Sequence, residues 1–297
     1  MRVFVTGASG WIGSAVTGEL LGAGHEVVGL ARSDVSAATL AAAGAVVRRG
    51  DLDDLGSLRS GAADSDAVIH LANKHDFNDP AVSNRAERGA VEAIGEVLKG
   101  SERAFVVASG VPGVQGRVAT EADPSPNIGP DSRRGGSEHL ALEYAERGVR
   151  TVIVRFPPTV HGSGDHGFVS TLVDIARATG RSGYVGDGSN RWPAVHRSDA
   201  AHVVRLGLEQ AAAGTVLHAM AELGVPTRAI AEEIGAGLGL PVESIAAEQT
   251  AAQFGWLGAF FALDVPSSSD VTRRLLGWSP AGPTLVEDLR GGAYFRR

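Results

Sequence analysis

The chain has 297 residues, 43% hydrophobic and 21% charged, enough for one large α/β domain whose core needs no staples. Cysteine is absent, which excludes disulfides, thiolate catalysis and cysteine-ligated metal centres. The 27 basic and 34 acidic residues leave a net charge of −7, the wrong sign for a general nucleic-acid binder, and the uncharged apolar stretch at 249–263 is short of the roughly 20 residues of a membrane span.

The N-terminus enters a strand pattern at once, without the profile of a signal peptide, so a cytoplasmic location is expected. Strands are predicted over 2–6, 26–31, 45–49, 67–70, 104–108 and 150–155, short runs rich in Val, Ile, Leu or Phe. Such runs suit a parallel sheet covered on both faces. Between them, stretches at 12–23, 35–43, 54–63, 80–98 and 136–147 are long enough for helices. The alternation predicts an α/β fold, a Rossmann-type doubly wound parallel sheet over residues 1–156. After residue 156 Gly and Pro cluster, and helices are expected at 198–212, 227–238, 248–261 and 268–276, with a short apolar run at 216–220. Residues 157–297 read as a smaller C-terminal substrate-binding region packed on the core, not a second independent sheet domain. Trp192, Trp256, Phe254, Phe260 and Phe261 there are expected in the core, with a pocket lining as the alternative.

The strongest motif is Thr6-Gly7-Ala8-Ser9-Gly10-Trp11-Ile12-Gly13, set between the first strand and the first helix. Gly7 permits the tight turn, Gly10 lets backbone approach a pyrophosphate, and Gly13 lets the helix sit close to the sheet. Phosphates would lie over the helix N-terminus, met by free N–H groups and the helix dipole. A glycine-rich turn without a ligand is the alternative.

This spacing resembles the short-chain dehydrogenase/reductase superfamily, and its extended branch of epimerases, dehydratases and reductases in particular. Asp51-Leu52 resembles the family's adenine contact, and the segment ending Leu71-Ala72-Asn73 its turn past the cofactor ribose. Arg155-Phe156-Pro157-Pro158 with the following Thr-Val-His-Gly162 resembles the strand and loop beside the nicotinamide. Later segments at 186–199 and 276–280 follow the branch's C-terminal pattern. In this fold an acidic residue ending the second strand binds the ribose of NAD, whereas an Arg accommodates the 2′-phosphate of NADP. Here that strand is followed by Arg32-Ser33-Asp34, which favours NADP(H); Asp34 on the ribose of NAD is the competing reading.

The resemblance implies a catalytic Ser, a Tyr and a Lys four residues after it. Ser109 matches the serine. The only lysines are Lys74 and Lys99, and none follows Tyr144, Tyr184 or Tyr294 at that spacing. The expected place reads Pro130-Asp-Ser-Arg-Arg-Gly-Gly-Ser137, just ahead of Glu138. Since hydride transfer still needs a proton donor or an oxyanion stabiliser, His161 past the sixth strand and His75 past the fourth join Ser109 as catalytic candidates. Arg133 and Arg134 are candidate stabilisers. No metal spacing is found: His161 and His166, five apart, do not make one.

These features point to an NADP(H)-dependent oxidoreductase acting on a small or medium carbonyl or alcohol. An epimerase or dehydratase with bound NAD is an alternative, as is a redox-inactive dinucleotide sensor or scaffold. A small-molecule substrate is the expected partner, with neither nucleic acid nor membrane. The resemblance implies a possible homodimer through residues 80–98 and 136–147; the apolar set of 80–98 would equally suit packing on the sheet alone.

Overall fold

The computed structural model describes residues 1–74 and 79–296; His75 lies outside them. Seven parallel strands form the main sheet. In chain order they are β1 (Arg2–Thr6), β2 (Glu26–Ala31), β3 (Val46–Arg49), β4 (Ala67–His70), β5 (Ala104–Gly110), β6 (Arg150–Phe156) and, after three strands placed elsewhere, β10 (Thr215–His218). Their order across the sheet is β10-β6-β5-β4-β1-β2-β3. The order reverses between β1 and β4, which opens a crevice at their C-terminal ends, the usual ligand position in such sheets.

Helices cover both faces. The first half supplies α1 (Trp11–Gly22), α2 (Asp34–Ala42), α3 (Leu55–Ala63), α4 (Pro80–Leu98) and α5 (Ser137–Ala145), and beyond α6 (Phe168–Thr179) comes α7 (Arg197–Gln210), which returns to pack on α1. Alternation along each strand sorts side chains between two cores. Val106, Ala108, Val152, Val154 and Leu217 join the α1 and α7 side. Phe105, Val107 and Ile153 join the α4 and α5 side with Val91, Ile94, Leu140 and Tyr144. Most of α4's apolar face is therefore spent on its own sheet.

A boundary at residue 156 does not separate the layers, because β10 and α7 complete the Rossmann core. The remaining chain builds a second layer. In it β7 (Thr159–His161), β9 (Arg191–His196) and β11 (Glu222–Pro226) form one small sheet, and β8 (Ser182–Val185) pairs with β12 (Val242–Ile245). None of these five strands is among those expected from the sequence. Around them pack α8 (Thr227–Leu238), α9 (Thr250–Phe254), α10 (Gly258–Phe261) and α12 (Leu285–Arg290), while α11 (Asp270–Leu276) returns to β10 and α7 of the main sheet. The helix expected over 248–261 is thus in pieces. Trp192, Phe254 and Phe261 are buried in this layer's core, whereas Trp256 is exposed. No helix among the described residues is long and apolar enough to cross a membrane.

His70 ends β4 in register with Thr6 on β1, and Nδ1 of the imidazole lies 2.8 Å from Thr6 Oγ1. Burial pushes this imidazole down from its ordinary 6.5 to about 4, Glu87 opposing and Arg134 reinforcing the effect. The unfolded chain takes up this proton near 6.5, and the folded chain refuses it until about 4. The neutral His70 therefore contributes stability above pH 6.5 that is lost as pH falls toward 4. Its share is about 3 kcal/mol at 1.36 kcal/mol per pH unit. Urea denaturation across this window should show that loss, and the slope should be shallower by up to one proton in His70→Gln.

Candidate active site

The glycine loop closes against the neighbouring strand end. Gly7 has φ +70°, and a Cβ there would sit 2.8 Å from Ala72 N; one at Gly13 would sit 1.9 Å from Gly7 O. Only bare backbone fits at either position. Gly10 donates its N–H to Gly7 O at 2.9 Å and precedes α1, whose first turn has no side-chain cap. The N–H groups of that turn are left for an anion. These features suit a pyrophosphate. Ser9 is half-buried in the loop, and Ile12 packs on the core.

Trp11 has a different task. Its indole donates to Val160 O at 2.7 Å, and the Arg197 guanidinium lies 4.1 Å above its ring while also bonding Ser14 Oγ at 2.9 Å. The indole ties the loop to the second layer. At the neighbouring strand end, Leu71 and Ala72 lie against Gly7, and Ala72 N donates to Thr6 Oγ1. Asn73 donates instead to Glu87.

Around the expected adenosine end, Arg32 is exposed with no hydrogen bond or ion pair among the described residues. Ser33 is committed to capping α2 through a reciprocal box with Ser36. Asp34 pairs with Arg49, which stands beside Ala31 in the β2–β3 register. Asp51 accepts from its own turn at Asp53 N, 3.0 Å away, and Leu52 is buried in the core under α3. Phe156 and Pro157 are buried behind β6, and Pro158 is half-buried.

Of the catalytic candidates within the described residues, Ser109 and His161 do not come together. His161 is fully buried in the second layer, its Nδ1 lying 2.9 Å from Asp288 on α12 and its ring 5.6 Å from that of His196. A neighbouring clasp holds the loop that follows: Tyr294 donates to Asp165 and accepts from Gly162 N. His161 is not among the residues lining the depression at Ser109. Those are Ser109, Ser125, Asn127, Arg133, Arg134, Gly136, Ser137 and Glu138.

Ser109, Arg155 and His218 stand in register across β5, β6 and β10. They continue the α5-facing rows of Phe105, Ile153 and Val216, and Ser109 and Arg155 meet Glu138 of α5. Ser109 donates to Glu138 Oε2 at 2.5 Å, and Arg155 reaches both oxygens of Glu138, through Nη2 at 2.6 Å and Nε at 3.3 Å. Arg155 Nη1 contacts His218 Nε2 at 3.3 Å, and His218 Nδ1 lies 2.7 Å from Ser268 O. That carbonyl requires the proton on Nδ1, leaving Nε2 to accept. Burial lowers the His218 imidazole below its ordinary range. Arg155 is therefore flanked by a neutral ring on one side and a carboxylate on the other.

Four residues before Glu138, Arg134 heads a run of left-handed backbone with φ +57°, followed by Gly135 and Gly136 at +61° and +62°. The conformation costs about 1–3 kcal/mol at a non-glycine residue, and four contacts hold it. Arg134 N donates to Asn84 at 2.8 Å, and its guanidinium donates to Glu87 through Nε at 2.8 Å, again through Nη2, and to Ala108 O at 3.0 Å. Glu87 is wholly buried and also accepts from Ser137 at 3.2 Å. The place expected for Tyr-x-x-x-Lys thus carries Arg134-x-x-x-Glu138, each charge matched by a partner on α4 or β6. Glu87, Glu138 and Arg155 were not singled out from the sequence as site residues. The signal was an arginine inside an apolar strand, which burial obliges to have a carboxylate partner.

The model of the NAD-dependent epimerase/dehydratase family matches residues 3–220. Two uncharacterised yeast proteins are similar over nearly their whole lengths. One, from Schizosaccharomyces pombe, is 46% identical and covers 99% of this chain and 100% of its own. The other, from Saccharomyces cerevisiae, is 47% identical and covers 98% of each. A dTDP-glucose 4,6-dehydratase from Streptomyces venezuelae, solved with NAD, shares the fold with a TM-score of 0.78 at 22% identity, over 98% of this chain and 96% of that one. Sheet order, glycine loop and these matches agree: the chain belongs to the NAD-dependent epimerase/dehydratase family.

Proposed function

We propose that the protein is an NADP(H)-dependent oxidoreductase acting on a small or medium carbonyl or alcohol. The observation that carries this reading is the bare-backbone cradle of Gly7, Gly10 and Gly13 beneath an uncapped α1, on the same sheet as Ser109 and its polar depression. Arg32, exposed and without a partner among the described residues, would take the 2′-phosphate, with Arg49 close by on the adjacent strand. A nicotinamide dinucleotide, when bound, supplies or accepts a hydride. The chain's own residues handle the substrate oxygen. Ser109 Oγ keeps acceptor capacity toward the depression while donating to Glu138. Arg134, half-exposed there, offers fixed positive charge to a developing oxyanion but no transferable proton.

The test is a calorimetric titration with NADPH and with NADH, after assaying the purified protein for carried dinucleotide. NADPH should bind more tightly. Retained NAD would favour the epimerase or dehydratase reading, and binding of neither would overturn both. Arg32→Ala should weaken NADPH by roughly tenfold or more, as loss of a charged hydrogen bond does, and should leave NADH within about twofold. Equal losses would overturn the NADP assignment.

A further inference from the structure

We infer that Ser109 and Glu138 together form the proton relay of this site, in the place where relatives of the chain's superfamily use a tyrosine and a lysine. The inference rests on the oxidoreductase reading above. Among the described residues lining the Ser109 depression, Glu138 is the only carboxylate and so the only side chain that can take up a proton; the others are arginines, hydroxyls, an amide and a glycine. Guanidinium groups stay charged, and an isolated serine hydroxyl does not give up its proton near neutrality. Neither can serve alone. Ser109 already donates to Glu138 Oε2 at 2.5 Å, so its own proton has a destination and its lone pairs are open to a substrate hydroxyl.

In the oxidising direction the alcohol O–H breaks and its proton goes to Ser109 Oγ, while the Ser109 proton passes to Glu138 Oε2. The carbinol C–H electron pair leaves as hydride to an oxidised nicotinamide dinucleotide, and the C=O bond forms. The alcohol loses two electrons, the dinucleotide gains them, and one proton rests on Glu138 until solvent removes it. Reduction is the reverse.

Arg155 is the positioning residue. It holds both Glu138 oxygens, and its remaining nitrogen contacts neutral His218, so the carboxylate has one orientation. Arg134 belongs to Glu87 on α4 and does not compete for Glu138. The ring of His161 is occupied by Asp288 in the second layer, away from this relay.

The experiment compares wild type with Glu138→Gln, Glu138→Asp, Ser109→Ala and the Ser109→Ala/Glu138→Gln double variant. Each is titrated with NADP+ by calorimetry and assayed for oxidation of cyclohexanol across pH. In parallel, the Glu138 carboxyl resonance, identified by its absence in Glu138→Gln, is followed in isotope-labelled protein without cofactor. NADP+ affinity should stay within about twofold, and kcat should fall by about 100-fold or more in Glu138→Gln with little change in KM. Glu138→Asp should recover part of the loss, and should keep the test open if the Gln variant does not fold. The double variant should be no worse than either single one, as for groups acting as a unit. The carboxyl resonance should move in Ser109→Ala, a readout that needs no substrate. Losses that multiply, native turnover by Glu138→Gln, or an unmoved resonance would overturn the relay while leaving the cofactor reading intact. Failure of wild type to bind NADP+ would overturn both.

Discussion

The site is organised by one buried ion pair. Arg155 lies at the C-terminal end of β6, beside the edge strand β10, and Glu138 in the first turn of the helix above it, and both are almost completely removed from water. Two charges buried together lose more by desolvation than they regain by attraction unless their remaining hydrogen-bonding capacity is met. Ser109 and His218 meet it. A row of three residues in lateral register thereby becomes a single hydrogen-bonded unit, and α5 is fixed over the strand ends by more than apolar contact. Glu138 also sits where the positive end of the helix dipole favours an anion.

The second pair, Glu87 with Arg134, balances the first. The two pairs cancel in charge, and Arg133, which also lines the Ser109 depression, adds a further guanidinium there. The left-handed turn through Arg134, Gly135 and Gly136 links them. A Cβ at Gly135 would come within 2.5 Å of Asn84 O, so α4 is packed against this turn as closely as backbone permits. The arginine and glutamate at the place expected for a tyrosine and a lysine thus draw on four positions, in α4, the turn before α5, α5 and β6.

Local patterns were legible in the chain; distant pairings were not. The alternation of strands and helices, and the glycine loop with its helix, are written in contiguous residues. The expected strand and helix limits in the first half follow the observed ones closely. The short run at 216–220 was visible as apolar, but its place beside β6 depends on a partner some sixty residues earlier. Arg155 was read as part of a strand-end motif, and nothing adjacent to it announces Glu138. His161 misleads for a physical reason. Pro157 and Pro158 lack N–H groups and cannot continue a central ladder, so the chain leaves the main sheet and β7 pairs with β9 instead. The histidine is delivered to α12, although it is only five residues beyond Phe156.

The indole of Trp11 gives the two layers a common mechanical fate. Its hydrogen bond to Val160 and the stacked Arg197, which also holds Ser14, join the phosphate-facing loop to the sheet that carries His161 and His196. A molecule seated on one side of this joint and a molecule seated on the other meet the same few atoms. Any preference one of them has for a particular setting of the joint must reappear, by reciprocity, in the affinity of the other. Trp11 is thus a joint at which the glycine loop and the second layer share the same few atoms.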